Sequence, residues 1–438
     1  MHWKRWAGIL AVAAAARGAV ILYAAIEPAR FDYPDSRRYA LVAANIASGR
    51  GPIESPRNRT GTDPLYPYLI APALVGAQFD WPAARQWALN DVEQVVQEPS
   101  WVVRAYTWAR VVNLIFGVAA VAAVMAVALR LAGPTAAAAA GLIASLDPIL
   151  VFFHALVLTE VVYLALLWGG VYLAVRGTAS RSYIMLIAAG ILFGCGAAAR
   201  SSGLIPAVLL PAIVVWCVAG AIARGARLAA FGTMLLGVAL AVSPAAWRNH
   251  GLIGTWMPIR TGGGASLLEA CGPWADGGPG MQKVAWPTVA DGANERARDR
   301  IYRDAALDWA RAHPADAVRL ALIKLVRTWS ISPNAPGYQS GLYAAIGWLT
   351  VAPVFVLAAV GAWLRRRDRM TALLLAPALC FSLIHMVFVG SVRYRVPAMP
   401  GLFILAGVAV AGLLQRRARR EPDANSGAQP ADAASDRH

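Results

Sequence analysis

Two carboxylates, Asp32 and Asp35, stand directly after the first apolar run, in the stretch Phe31-Asp32-Tyr33-Pro34-Asp35-Ser36-Arg37-Arg38-Tyr39. A carboxylate in such a place can take the proton from a hydroxyl as a new bond forms to its oxygen. Asp35 also opens a helical pattern at Ser36, so capping is a competing role for it. Two more acids sit beside apolar runs: Asp147 in Ser145-Leu146-Asp147-Pro148, and Glu160 after Leu158-Thr159. Acids within or beside spanning segments are costly in lipid and mark function by default. The competing roles are structural. Asp147 would cap a helix that begins at Pro148, and Glu160 would pair with a buried arginine such as Arg17. Because Asp147 and Glu160 share a membrane face with Asp35, function is the favoured reading for both.

Arginines fall on that same face. Arg200 follows three alanines and precedes Ser201-Ser202-Gly203; Arg248 is followed by Asn249; Arg393 and Arg395 flank Tyr394 before an apolar run. The planar guanidinium fork suits phosphate. Other features carry less. Thr261-Gly262-Gly263-Gly264 has no following Lys-Ser or Lys-Thr and reads as a flexible loop rather than a phosphate cradle. The sequon Asn58-Arg59-Thr60 is short and common. His154 and His385 read as packing residues. The four cysteines, Cys195, Cys217, Cys271 and Cys380, define no disulfide framework, and no CxxC or HExxH spacing announces a metal.

The elements that must position these residues are membrane helices. Of 438 residues 58% are hydrophobic and only 15% charged, where a soluble domain carries about a quarter charged. The net charge of +16 is not a nucleic-acid signature, because the arginines cluster at the ends of apolar runs and no basic stripe is interleaved with aromatics. Roughly ten runs are long enough to span. They lie over 6–26, 101–131, 134–153, 156–175, 183–199, 203–223, 228–247, 342–364, 371–389 and 396–414, and the cut between the third and fourth is the least defined. The expected fold is an all-α polytopic transmembrane bundle with helical outer loops. Residues 1–26 form an uncleaved first helix, 27–100 an extracytoplasmic loop, 101–247 a helical block, 248–341 a second extracytoplasmic loop, 342–414 the last helices, and 415–438 a disordered cytoplasmic tail. Interfacial helices are expected over 36–47 and 315–329, with another helix over 293–312. No internal repeat of the kind common in transporters is visible. Read from the residues alone, the gathered acids and arginines suit an anionic lipid-linked substrate and proton abstraction by a carboxylate.

The order of motifs resembles the C-type glycosyltransferase superfamily, in the branch of aminoarabinose transferases, protein O-mannosyltransferases and related bacterial sugar transferases. The stretches that carry the resemblance are Asp35 to Asn45 with Ser48-Gly49-Arg50-Gly51, Asp63 to Tyr68, Ala109 to Asn113, and Leu146-Asp147-Pro148 with Leu158-Thr159-Glu160. The remaining ones are Ala199 to Leu204, Pro244 to Asn249 and Arg393 to Pro400. The resemblance implies a polyprenyl-phosphate-sugar donor and inverting transfer to a lipid, polysaccharide or protein acceptor on the extracytoplasmic face of the plasma (inner) membrane. It implies Asp35 as the base. Arg393 and Arg395 would then hold the donor phosphate, helped by Arg200 or Arg248, with Asp147 and Glu160 orienting the acceptor or tuning the site. Many relatives carry two adjacent acids at the first position, whereas Ser36 follows Asp35 here. The choice between Asp35 and Asp32, and the use of a divalent metal, therefore stay open. A transporter or flippase of a lipid-linked sugar and a non-catalytic envelope-polysaccharide subunit are the other classes that such charges could serve.

Arginine clusters at Lys4-Arg5, Arg130, Arg176-Arg181, Arg224-Arg227, Arg365–Arg369 and Arg416–Arg420 alternate along the runs and fall on one side, which the positive-inside bias makes the cytoplasm. Reporter fusions after Arg181 and after Arg300 should therefore report opposite sides of the membrane; the same side for both would overturn the layout.

Overall fold

The computed structural model describes residues 2–89, 99–218, 223–290, 292–334 and 337–425. Apart from one isolated bridge between Ser55 and Asn58, all regular structure among them is helical. Helix α1 (His2–Ile26) leads into a long segment with α2 (Pro34–Ala47), α3 (Leu65–Ile70) and α4 (Trp81–Leu89). A helical block follows: α5 (Ser100–Ala132), α6 (Pro134–Leu146), α7 (Pro148–Phe153), α8 (Glu160–Ser180), α9 (Tyr183–Ala199), α10 (Leu204–Val218) and α11 (Arg224–Ile253). The second long segment holds α12 (Gly263–Ala270), α13 (Glu295–Ala312) and α14 (Pro314–Thr328). The chain ends with α15 (Gly341–Leu364), α16 (Arg369–Val387) and α17 (Met399–Asn425).

Eight of these helices are long and apolar enough to cross a membrane, and α6 and α9 are shorter apolar helices. The protein is a multi-pass membrane protein of all-α build, and each of the ten apolar runs contributes helix. The run over 134–153 is broken. Residues before proline avoid the helical region, and Asp147, at ψ 118°, leaves α6 there. Its carboxylate accepts the Leu150 amide at 2.8 Å and so caps α7.

One surface helix moves inward. The sequence places residues 36–47 on the membrane surface, yet Ser36, Arg37 and the run from Tyr39 to Asn45 are buried, with α2 packed against α3, α4 and α5. Its alanines, Ala40, Ala43 and Ala44, let neighbours close over both of its sides. Helix α14 keeps the expected two-faced character: Leu320, Lys324 and Thr328 face inward while Val318, Leu322 and Val326 stay exposed. Of the expected tail, residues 426–438 lie outside the described residues, and α17 itself runs to Asn425.

Helices in lipid gain little from apolar burial against one another, so close backbone approach through small residues does the packing. Helices α9 and α11 meet through Gly190 and Gly237. A Cβ on Gly190 would lie 2.0 Å from the Met234 carbonyl oxygen, and one on Gly237 2.3 Å from that of Ile187. Gly190→Ala and Gly237→Ala should each destabilise detergent-purified protein by roughly 1–3 kcal/mol, the usual range for overpacking. Gly232→Ala, on the same helix with nothing within 4 Å, should leave the thermal midpoint unchanged. Equal midpoints for all three variants would mean that this contact does not order the bundle.

Candidate functional site

The site is built at the end of the bundle where α1, α9 and α16 finish and α8 and α17 begin. Asp35 lies in the first turn of α2, whose first helical position is Pro34. That turn is held by its neighbours. The carboxylate of Asp32 accepts from Arg37 at 2.7 Å, both side chains being almost wholly buried, and also from the Tyr106 hydroxyl at 3.1 Å. Arg37 in turn donates to the Trp87 carbonyl at 3.2 Å and lies over the Trp87 ring. Asp32 therefore ties the entry of α2 to the elements around it, while Asp35 turns toward the bundle with about a third of its side chain exposed.

Arg393 comes from the short 3-10 turn Val392–Ala398 ahead of α17. Its Nη1 donates to Asp35 Oδ2 at 2.8 Å and its Nε donates to Glu160 Oε1. Glu160, the first residue of α8, is fully buried, and the same Oε1 accepts from Arg200 at 2.6 Å. Its second oxygen, Oε2, is buried with no hydrogen-bond donor among the described residues. Arg200 also donates to Ser202 Oγ at 3.2 Å and sits 5.2 Å from the centre of the Tyr394 ring, which stacks on His385 at 4.1 Å. Asp35, Glu160, Arg200 and Arg393, drawn from four separate stretches of sequence, thus form one ionic cluster.

The two long segments extend the cluster. Arg38 lies 3.9 Å from Asp35 and 3.4 Å from Glu54. Asp63 accepts from the Ser201 amide at 3.1 Å and forms an ion pair with Arg260 at 3.4 Å, while Arg260 donates to Ser201 Oγ at 3.0 Å and to the Gly61 carbonyl at 2.8 Å. Glu295 clamps the segments together, accepting from the backbone amides of Arg59 and Thr60 and from the hydroxyls of Thr60 and Thr261. Burial alone would raise Asp35, but the Arg393 and Arg38 guanidiniums overcome it and hold the carboxyl at about 2. For Asp63 burial wins over Arg260 and Arg200, and its carboxyl is pushed up. Glu269, in α12, is raised by burial too, although it accepts the Gly280 amide at 2.7 Å.

Not every residue singled out in the sequence joins the cluster. Asp147 is the cap of α7. Arg395 is fully buried, donates through Nη1 to the Thr328 and Ser330 carbonyls at the end of α14, lies over the Phe355 ring, and has no partner for Nε and Nη2 among the described residues. Arg248 donates twice to its neighbour Asn249, which holds the Met257 and Ile259 carbonyls. Among the described residues Arg17 forms no ion pair, with Glu160 or any other acid. It donates to His154 at 3.0 Å and to the carbonyls of Ala13, Ala144 and Ser145, because the break at Asp147 leaves helix-end carbonyls unpaired beside it. Residues the sequence reasoning passed over are Arg38, Glu54, Asp63 and Arg260. The available signal was Asp63, which lies in one of the stretches that carry the resemblance.

Among the described residues no three His, Cys, Asp or Glu side chains converge on a metal position. Asp35 and Glu160 are each engaged by guanidinium groups, a donor set that does not fit a dication.

These features define a polytopic membrane protein with a balanced ionic site at one end of its bundle. No protein-family model matches the sequence, and no curated protein matches it. Solved structures do match. The oligosaccharyltransferase of Archaeoglobus fulgidus in the apo form aligns at TM-score 0.56 with 12% identity over 97% of this chain and 52% of that one. The Archaeoglobus fulgidus oligosaccharyltransferase AglB, in complex with an inhibitory peptide and a dolichol-phosphate, aligns at 0.53 with 13% identity over 97% and 52%. ArnT from Cupriavidus metallidurans aligns at only 0.31, with 15% identity over 95% of this chain and 82% of that one, too loosely to weigh. The chain spans about half the length of the oligosaccharyltransferases. At such identities the likeness is one of fold alone, shared with about half of each oligosaccharyltransferase chain.

Removing the shared anion should be severe. Glu160→Gln leaves Arg200 and Arg393 without their common carboxylate, and breaking a buried pair in this way costs about 3–5 kcal/mol. The thermal midpoint in detergent should fall well below that of Asp35→Asn, whose carboxylate is partly exposed. Equal midpoints would show that Glu160 is not the anchor of the cluster.

Proposed function

We propose that this protein is a membrane glycosyltransferase. It moves a sugar from a polyprenyl-phosphate donor to an acceptor hydroxyl, with inversion, on the extracytoplasmic face of the plasma (inner) membrane. The observation that carries the reading is Arg393 held between Asp35 and Glu160 at the mouth of a bundle with the C-type glycosyltransferase fold. The dolichol-phosphate in the AglB complex is the same class of lipid phosphate.

In this reading Asp35 takes the proton of the acceptor hydroxyl as that oxygen attacks the anomeric carbon. The bond from that carbon to the phosphate oxygen breaks, and the electron pair leaves with the polyprenyl phosphate. Charge then grows on the phosphate, where fixed guanidinium groups stabilise it. Arg393 and Arg200 fill that role here rather than Arg395, which is held beside the Ser330 carbonyl and the Phe355 ring, or Arg248, which donates to Asn249, because only the first two share Glu160 with the Asp35 cluster. Glu160 positions both arginines rather than the acceptor. A phosphate that draws Arg393 away from Asp35 also removes the charge that holds the carboxyl low, so the donor raises the basicity of Asp35 as it binds.

Asp35→Asn keeps the shape of the side chain and removes its basicity. Transfer from radiolabelled polyprenyl-phosphate sugars should drop about a hundredfold or more, with donor binding kept or tightened because the phosphate no longer competes with a carboxylate for Arg393. Retained turnover in Asp35→Asn together with its loss in Asp32→Asn would move the base to Asp32. In the free protein Asp35 is pulled down, so its ionised form persists well into acid. The donor kcat/KM should accordingly stay flat from neutrality to about pH 5, and a decline centred near pH 6 would place the base elsewhere. Arg393→Ala should weaken donor binding and turnover together.

A further inference from the structure

Helices α15 and α16 are joined by a short turn, yet they hardly touch; each leans on α17 instead. Helix α15 is pressed onto α17 at Gly361, where a Cβ would meet the Leu405 carbonyl oxygen at 1.9 Å. The slot left between α15 and α16 holds two connected cavities. One, of 580 Å³, is lined by Trp216, Trp363, Arg366, Arg367 and Arg369 among others. The second, of 380 Å³, is lined by Trp329, Phe355, Ala358 and Leu402, and both share Ala359, Ala362 and Leu375. The slot lies at the end of the bundle opposite the Asp35 cluster at its basic end and runs inward along α15.

Its chemistry is two-part. At the basic end Asp368 is neutralised by Arg365 and caps α16 through the Met370 amide, which leaves three exposed arginines in excess. Two are set against indole rings: Arg366 lies 4.4 Å from the Trp363 ring centre and Arg369 5.7 Å from that of Trp216. The rest of the slot is apolar. From Arg366 to Phe355 along α15 is about 16 Å at a rise of 1.5 Å per residue, close to half of a hydrocarbon core about 30 Å thick. A slot one leaflet deep, apolar along its length and cationic at its mouth, matches a phospholipid of that leaflet in both dimension and charge.

We propose that the slot between α15 and α16 is a binding site for an anionic phospholipid, with its phosphate at Arg366, Arg367 and Arg369 and an acyl chain against Ala359, Ala362 and Phe355. This is independent of the sugar-transfer reading, since no residue of the Asp35 cluster takes part. The test is native mass spectrometry of the delipidated full chain titrated with phosphatidylglycerol, phosphatidylcholine, inorganic phosphate or a polyprenyl phosphate. One phosphatidylglycerol adduct should form about tenfold or more tightly than with phosphatidylcholine, given the usual contribution of each arginine near an anionic headgroup. Ala359→Trp, at an exposed position lining both cavities, should abolish that adduct while leaving the thermal midpoint and the arginines untouched. Arg366→Gln with Arg369→Gln should remove the preference over phosphatidylcholine. Equal affinity for the two phospholipids, survival of the adduct in Ala359→Trp, binding of phosphate alone with the same affinity, or displacement of phosphatidylglycerol by stoichiometric polyprenyl phosphate would each overturn the proposal.

Discussion

The Arg393 guanidinium is shared between two carboxylates, Asp35 from the first long segment and Glu160 from the start of α8. Much of the site's geometry depends on that sharing. A charge at the end of a membrane bundle is stable only when it is matched and hydrogen-bonded, because the surroundings solvate it poorly. Around Arg393 the match is complete in sign: Asp35, Glu54, Asp63 and Glu160 stand against Arg38, Arg200, Arg260 and Arg393. An arriving phosphate adds negative charge to a balanced set, so it must compete with a carboxylate for its arginine. Asp35 is the exposed member of the two acids on Arg393 and therefore the one that gives way, whereas Glu160 is wholly buried.

The fold serves that cluster by bringing remote stretches to one end of the bundle. Tight helix contacts at Gly190, Gly237 and Gly361 set the distances between the helices. The two long segments then close over the end through Glu295, which gathers donors from both of them, and through the Thr261 amide on the Thr60 carbonyl, while Asp299 accepts the Gly262 and Gly264 amides within the second segment. Thr261-Gly262-Gly263-Gly264, which looks like a plain flexible loop in the sequence, is thus the latch between the segments. At Gly264 a Cβ would lie 1.9 Å from the Asp299 carbonyl oxygen, so no larger residue fits that approach.

The amino-acid sequence alone determined the membrane character, the helical class and the positions of the apolar runs, because the lack of water in lipid forces long apolar stretches into helices that satisfy their own backbone. It also picked out Asp35, Glu160, Arg200 and Arg393, because charges at the edge of lipid stand out against their surroundings. Which charge meets which was decided by tertiary structure. Arg393 and Arg395 are two residues apart and alike in composition, yet a 3-10 turn aims one at Asp35 and Glu160 and the other at the Ser330 carbonyl. Arg17, a candidate partner for Glu160 by composition, instead meets the helix-end carbonyls that the break at Asp147 supplies. Asp32 and Asp35 differ in the same way, one spent on Arg37 and the other turned to the cluster. Residue type sets what a side chain needs, and only the packed fold sets which partner is within 3 Å or so.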